Sequence, residues 1–220
     1  MRGRMQDPDA SKDALNASAE THGSPAFCIK LDDQTELRLL KPEDAAELFN
    51  LIDQNRKFLG RWFDMVDITR DPADTYTWIV GMLARREEDR TRGWAGIFHQ
   101  ARLVGCVGVT ESEPQKHTAE IGYYLSADAC GRGLATRACR SFVQYLFEQR
   151  GIHRIGLRVA SDNTRSIRLA ERLGFTCEGR LREADVFEGV RRDVVVFGLL
   201  RKEWASARQE GDRVSDEWKR

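Results

Sequence analysis

A glycine-rich segment that leads from a strand-like run into a helical pattern constrains this chain more than any other stretch. Its residues are Gly131-Arg132-Gly133-Leu134-Ala135-Thr136, and apolar side chains then recur every four positions at Leu134, Ala138, Phe142 and Leu146. Free backbone N–H groups and the helix dipole attract an anion at such a helix start, and glycines let phosphate oxygens approach the backbone. The segment therefore predicts a pyrophosphate site formed by Gly131, Arg132, Gly133, Leu134, Ala135 and Thr136.

Other interpretations of the same segment have to be weighed. A Rossmann dinucleotide loop would carry a third Gly or Ala where Thr136 stands, and would lie in a parallel βαβ unit near the start of the chain. A P-loop is excluded, because no G-K-[ST] follows the glycines. A turn that merely connects a strand to a helix stays open from this motif alone.

Apolar spacing along the rest of the chain predicts strands and helices in mixed order. Predicted strands are 36–40, about 93–99, 102–111, 118–126, 155–159, about 176–187 and 193–200. Predicted helices start near Pro42, Pro72, Leu134 and Asn163. Short polar connections between the runs from 93 to 126 favour antiparallel hairpins, so the fold class is mixed α+β.

The two ends of the chain differ in composition from its middle. Residues 1–30 carry few large apolar side chains, and 207–220 are equally polar, so both are predicted to be loose tails. The 220 residues suit one domain, which we place at 31–206.

Charge and cysteine usage exclude several classes of protein. Lys plus Arg and Asp plus Glu each number 35, which gives no indication of a nucleic-acid partner. The sequence has no apolar run of membrane-spanning length and no signal-peptide pattern. Five scattered cysteines and four separated histidines favour neither disulfides nor a metal site. We expect a soluble cytoplasmic protein without metal, nucleic-acid or membrane partners.

Three motifs in order resemble the GNAT N-acetyltransferases. They are Ala119-Glu120-Ile121-Gly122-Tyr123-Tyr124-Leu125, then the glycine segment continuing to Ala138, then Asn163-Thr164-Arg165-Ser166 followed by Leu173-Gly174-Phe175. The pattern is similar in particular to the RimJ/RimL branch of ribosomal-protein N-terminal acetyltransferases. The resemblance covers about 35–203 and implies the GNAT fold, with a central, mostly antiparallel, twisted sheet of about seven strands flanked by helices.

The resemblance also implies a cofactor and its contacts. Acetyl-CoA is the expected co-substrate, with pantetheine in a gap between the strand at 119–126 and the strand at 154–160. Tyr124, Leu125, Asn163 and Arg168 join the glycine segment as expected cofactor-binding residues. Cys130 stands where many members have Gln or Arg, and the later helix lacks the usual Tyr acid, so the general acid is left open.

Two side chains are candidates for catalysis by direct attack of the amine on the thioester. Glu120 is the candidate base, directly or through water, although a strand carboxylate that only faces solvent is the alternative. Ser166 is the candidate acid for the leaving thiolate, although a Ser in the first turn of a helix is commonly a cap.

The acceptor follows only from the resemblance. A protein N-terminal α-amine is the main expectation, and Asn55–Trp62 is expected to form part of its groove, with Trp62 and Phe63 more often core than contacts. A small-molecule or antibiotic amine, and a non-catalytic acyl-CoA-binding regulator, are the alternatives. A homodimer is expected from family habit.

Overall fold

Eight strands form one sheet in the computed structural model, which describes residues 27–206. The strands are β1 (Cys28–Lys30), β2 (Thr35–Leu39), β3 (Gly93–His99), β4 (Arg102–Glu113), β5 (Thr118–Leu125), β6 (Arg154–Ala160), β7 (Thr176–Phe187) and β8 (Val190–Leu200). Their spatial order is β1-β2-β3-β4-β5-β6-β8-β7. All neighbours are antiparallel except β5 and β6, which run parallel.

The parallel contact between β5 and β6 is short. The strands pair at Thr118↔Arg154, Ala119↔Ile155 and Glu120↔Gly156. Beyond these pairs β5 continues along β4, and β6 continues along β8, so the two strands part. The gap between residues 121–125 and residues 157–160 is called the slot below.

Helices cover both faces of the sheet. They are α1 (Ala45–Gln54), α2 (Arg56–Leu59), α3 (Met65–Ile68), α4 (Pro72–Glu88), α5 (Leu134–Glu148) and α6 (Thr164–Arg172), and residues 201–206 are also helical. Asp71 starts α4 by accepting hydrogen bonds from the N–H groups of Ala73 and Asp74. The four-residue apolar pattern predicted for α5 is buried against the sheet.

Two apolar clusters show which helices lie on which face. One cluster joins α5 and α6 to β5 through side chains such as Phe142, Leu169 and Ile121, and Tyr123 packs against it. The other joins α1–α4 to Tyr124, with Trp94 packed against it. Because successive side chains of a strand point to opposite faces, β5 contributes Tyr123 to the α5–α6 face and Tyr124 to the α1–α4 face.

The mixed α+β class and the mostly antiparallel sheet flanked by helices, as predicted from the sequence, are confirmed. The sheet has eight strands rather than about seven, because Cys28–Lys30 pairs with β2 inside the stretch predicted as tail. Three residues are too few for an alternation signal, and this strand is held by Phe27, whose ring lies 4.6 Å from that of Tyr145. The remaining parts of the predicted tails, 1–26 and 207–220, lie outside the described residues. None of the helices in the described part of the chain is long and apolar enough to cross a membrane.

Candidate functional site

The glycine segment adopts a backbone that other residues rarely accept. Gly131 has φ +81° and Gly133 has φ +73°, both in the left-handed region. A Cβ built on either glycine would meet no heavy atom within 4 Å, so the surrounding space is open. Glycine is thus required by backbone conformation here, and the open side leaves room for a ligand.

The start of α5 lacks the side-chain cap that α4 and α6 have. Asp71 caps α4, and Asn163 caps α6 by accepting from the N–H of Ser166 at 3.2 Å. Gly133 starts α5 with no side-chain cap and no acidic residue in the first turn. The first helical bond runs from the Arg137 N–H to the Gly133 carbonyl at 3.1 Å. The amides of residues 134–136 are therefore left to an external acceptor, which an anion would satisfy.

Two arginines lie close to this helix start, namely Arg132 in the glycine segment and Arg165 at the start of α6. Arg132 and Arg168 are exposed, and neither forms an ion pair within residues 27–206. Arg165, at the start of α6, lowers the pKa of the Cys130 thiol, although burial outweighs it and raises that pKa. Arg137 is instead paired with Asp32 at 2.6 Å. The positive charge near the loop is thus largely uncompensated, as a diphosphate site requires.

The edge of β5 that borders the slot presents backbone groups. The N–H of Ser126 donates to the Val104 carbonyl at 2.8 Å, so this position faces β4. By alternation, Gly122 and Tyr124 also turn their backbone groups to β4, while those of Tyr123 and Leu125 point into the slot. Leu125 is therefore placed for sheet-like bonds to a pantetheine.

The side chain of Tyr124 lies on the opposite face from the glycine segment. It is 4 % exposed, and burial raises its pKa well above the ordinary value. Its predicted contact with the cofactor stays a prediction, and the backbone of Tyr123 is the neighbouring group that borders the slot.

Ser166 meets a partner that the sequence did not indicate. The Tyr123 hydroxyl donates to Ser166 Oγ at 2.8 Å, across the region where β5 and β6 have separated. Strand alternation puts Tyr123 on one face with Ile121 and Leu125, but the partner of its hydroxyl lies 43 positions along the chain. The signal that could have found it was a polar tip on an otherwise apolar strand face.

Glu120 lies at the point where the slot begins, in the last paired position of β5. A Cβ on Gly156 would lie 3.7 Å from Glu120 Cγ, so the carboxylate stem crosses the neighbouring strand at a glycine. Burial raises the pKa of Glu120, Arg158 lowers it, and Glu111 raises it. A half-buried carboxylate with a raised pKa is suited to accept a proton near neutral pH.

A cavity of about 560 Å³ lies on the α1–α4 face beside the slot. Five aromatic residues line this aromatic pocket, namely Trp62, Phe63, Trp78, Trp94 and Tyr124. Gly122 lies in its wall, and Glu120 is two positions away on the same face of β5, about 7 Å by strand geometry. Trp62 and Phe63 are half-buried and line the cavity, and Phe63 also packs against the α1–α4 core cluster. Trp78 and Trp94 were not singled out from the sequence.

Trp94 fits the sheet because two strands carry glycine beneath it. A Cβ on Gly108 would lie 2.4 Å from the indole ring, and one on Gly122 would lie 3.3 Å from it. The ring therefore lies flat over β4 and β5, 6.0 Å from the ring of Trp78 and 6.2 Å from that of Tyr124. This stacking gives the pocket an apolar floor.

Arg192, from β8, holds the outer wall of the pocket. Its guanidinium lies 5.5 Å from the Trp62 ring and 5.0 Å from the Phe187 ring, donates to the Arg61 carbonyl at 2.9 Å, and is paired with Asp185. The side chain is only 12 % exposed, so these contacts are shielded from water. The β7–β8 hairpin is thereby fixed to the segment between α2 and α3.

No cluster of three or more His, Cys, Asp or Glu residues that could hold a metal ion occurs within 27–206. The described site offers a carboxylate, hydroxyls, backbone amides and arginines.

Comparison with known proteins shows which family and which solved folds this chain resembles. The model of the acetyltransferase (GNAT) domain matches residues 34–176. The "Putative ribosomal N-acetyltransferase YdaF" of Bacillus subtilis (strain 168) is 33% identical over 179 residues, which are 81% of this chain and 97% of the relative. The "Ribosomal-protein-serine acetyltransferase" of Escherichia coli (strain K12) is 26% identical over 175 residues, 78% and 96% of the two chains.

Solved structures share the fold. The RimL ribosomal L7/L12 alpha-N-protein acetyltransferase in complex with coenzyme A superposes with a TM-score of 0.76 at 22% identity, over 79% of this chain and 98% of that one. The microcin C7 self-immunity acetyltransferase MccE, in complex with acetyl-CoA and AMP, gives 0.74 at 26% identity, over 80% and 97%. With the domain match covering most of the described residues, the chain belongs to the GNAT acetyltransferase family.

Proposed function

We propose that this protein transfers the acetyl group of acetyl-CoA to the N-terminal α-amine of a protein, of the ribosomal-protein type. The parting of β5 from β6 carries the proposal, because it opens a slot with an uncapped helix start on one face and the aromatic pocket on the other. The names of the relatives, a ribosomal N-acetyltransferase and a ribosomal-protein-serine acetyltransferase, support the choice of acceptor.

The residues fit the cofactor on the α5–α6 face. The amides at 134–136 and the arginines Arg132 and Arg168 would hold the diphosphate of acetyl-CoA, and the open side of Gly131 and Gly133 gives it room. The exposed backbone edge of Leu125 would pair with pantetheine, as RimL and MccE bind coenzyme A and acetyl-CoA. The thioester would then lie in the slot, within reach of both faces.

Transfer requires one bond to form and one to break. The amine nitrogen bonds to the carbonyl carbon, the carbon–sulfur bond breaks, and a backbone N–H at the slot stabilises the carbonyl oxygen. Glu120 takes the ammonium proton through a bridging water, because it lies two strand positions from Gly122 in the pocket wall. Ser166 gives a proton to the departing thiolate. An α-amine, with a pKa of about 7.7–8.0, needs a weaker base than a lysine at about 10.4.

The aromatic pocket suits a charged peptide end. Ring faces attract an ammonium, and the exposed carboxylate of Asp64 lines the cavity together with Arg85 and with Arg92, which is paired with Asp89 at 3.5 Å. A cytoplasmic location fits this function, because Cys28, Cys106, Cys130, Cys139 and Cys177 are all free thiols. A homodimer remains an expectation from the family resemblance, to be measured by sedimentation.

The test is a panel of acceptors offered with acetyl-CoA, with released thiol and product mass as the measurements. We expect acetylation of peptides with a free Ser or Ala N-terminus, and none of the same peptides with a blocked N-terminus and an internal lysine. A response confined to spermidine or an aminoglycoside would move the function to small-molecule acetylation. If calorimetry shows that coenzyme A binds but no amine causes thiol release from acetyl-CoA, the result would favour a non-catalytic acyl-CoA-binding regulator.

A pair of variants tests the role of Glu120. We expect Glu120→Gln to lower kcat about 10²-fold, because it removes the base, with the Kd of coenzyme A unchanged. Glu111→Gln removes the carboxylate that faces Glu120 in the β4–β5 register and is the matched control. It is expected to keep kcat within about threefold at a pH where Glu120 is ionised. Equal losses in both variants would contradict a catalytic role for Glu120.

A further inference from the structure

The hydroxyl pair formed by Tyr123 and Ser166 is not explained by the fold alone. The Tyr123 ring packs on the α5–α6 face, yet its hydroxyl ends on a hydroxyl of α6 rather than on a backbone carbonyl. The two oxygens are 2.8 Å apart and belong to elements on the two sides of the slot. The bond therefore crosses the region where the thioester would lie.

The backbone at Ser166 is fixed independently of this bond. Its N–H donates to Asn163 Oδ1 at 3.2 Å, as expected near the start of a capped helix. The Ser166 side chain is thus free of the capping task, which Asn163 performs. With the Tyr123 O–H donated to Ser166 Oγ, the Ser166 hydrogen remains available to another acceptor.

The environment of Tyr123 keeps its phenol protonated. Burial raises the pKa of Tyr123 far above the ordinary range, and the hydrogen bond to Ser166 and the charge of Arg172 oppose this only in part. A neutral phenol remains a donor throughout the pH range in which an α-amine is acetylated. Donation into an oxygen strengthens the donor capacity of that oxygen's own hydrogen.

We infer that Tyr123 is a positioning residue that acts through Ser166, by holding the Ser166 O–H toward the thiolate that leaves acetyl-CoA. In the step, the carbon–sulfur electron pair goes to sulfur, the Ser166 proton moves to that sulfur, and solvent restores the proton to Ser166. The inference rests on the proposed function. Tyr123 thus contributes, from β5, a tyrosine hydroxyl of the kind that many family members carry on the later helix and that this chain lacks there.

The first measurement compares kcat and KM in single variants of an otherwise complete enzyme. Tyr123→Phe removes one hydroxyl and is expected to lower kcat about 3- to 10-fold, as the loss of one hydrogen bond predicts. The KM for acetyl-CoA should stay within about twofold, because Tyr123 acts on the leaving group rather than on binding. Ser166→Ala is expected to lower kcat about 10²-fold.

The second measurement is a double-variant cycle, whose result differs between a positioning role and a purely structural role of Tyr123. If Tyr123 acts through Ser166, adding Tyr123→Phe to Ser166→Ala should change kcat less than about twofold. An equal 3- to 10-fold loss in both backgrounds, or no loss in the single variant, would overturn the inference.

A matched control separates loss of stability from loss of positioning. Tyr145, in α5, is buried where Tyr123 is half-buried, and its hydroxyl accepts a hydrogen bond from Arg86 at 3.4 Å, away from the slot. We expect Tyr145→Phe to match Tyr123→Phe in melting temperature but to keep the kcat of the unmodified enzyme. A fall in kcat as large as that of Tyr123→Phe would overturn the inference. If the unmodified enzyme releases no thiol from acetyl-CoA with any amine, the proposed function itself would be contradicted.

Discussion

The two faces of the slot are built by different means. On the α5–α6 face, binding groups come from the backbone and from arginines within two short segments, 131–137 and 163–168. On the α1–α4 face, the aromatic pocket collects side chains from α4, β3, β5 and the segment between α2 and α3. Under the proposed function, a ligand common to the whole family is bound mainly by main-chain groups, whereas the acceptor is bound by side chains that can vary without altering the fold.

The largest effect that should separate the faces comes from the glycine segment. Gly133→Val places a β-branched residue at φ +73°, where an L-residue costs about 1–2 kcal/mol, and adds bulk beside the open helix start. We expect the Kd of coenzyme A, measured by calorimetry, to rise about 10- to 30-fold while the KM of the peptide stays unchanged.

Gly151 provides the control for backbone strain. It has φ +68° and an equally open Cβ position, in the turn between α5 and β6. Gly151→Val should lose similar stability in thermal unfolding but keep the Kd of coenzyme A. If both variants bind coenzyme A equally poorly, the glycine segment is not the diphosphate site.

A smaller effect is expected on the acceptor face from Arg192. Arg192→Met keeps much of the side-chain volume but removes the charge that holds Trp62 and the Arg61 carbonyl. The peptide KM should rise about 3- to 10-fold, because the pocket wall is no longer fixed. The Kd of coenzyme A should not change.

Arg180 is the matched control on the same hairpin. It pairs with Asp193 at 2.7 Å and is largely exposed, so Arg180→Met should leave both constants near those of the unmodified enzyme. If the peptide KM is unchanged in Arg192→Met, the β7–β8 hairpin does not contribute to acceptor binding.

The smallest effect is a shift in pH dependence at the junction of the two faces. Glu120 must be ionised to act as base, so activity falls as the pH drops below its raised pKa. Arg158 lowers that pKa, so Arg158→Gln should move the acid limb of kcat to higher pH. Glu111 raises it, so Glu111→Gln should move the limb to lower pH. Profiles that shift in the same direction would exclude Glu120 as the titrating base.

The contrast between the faces also explains what the sequence could predict. Gly131, Gly133 and the apolar spacing of α5 are contiguous, so the helix start and its free amides followed from local rules. The mixed α+β class, the order of strands along the chain and the start of α6 could be predicted from local sequence rules in the same way. The eight-strand count did not, because β1 is held by pairing and by Phe27 rather than by its own pattern.

Contacts between distant segments were beyond reach of the sequence. Trp78 and Trp94 come together only when α4 crosses β3, and Arg192 meets Trp62 only after the last hairpin folds back. Strand alternation groups Tyr123 with Ile121 and Leu125, but its hydroxyl partner depends on the crossover through α5. The direction of a side chain along a strand is encoded locally, whereas the residue that its tip contacts is set by the topology of the fold.

The three-residue parallel contact between β5 and β6 has a mechanical consequence. It divides the sheet into two plates, β1–β5 and β6–β8, joined by a narrow seam. Because the seam fixes where the plates diverge, the proposed meeting point of donor and acceptor is set by the strand pairing and not by any loop. The outer wall at α2, α3 and the last hairpin can therefore be remodelled for a new acceptor while the reacting atoms keep their place.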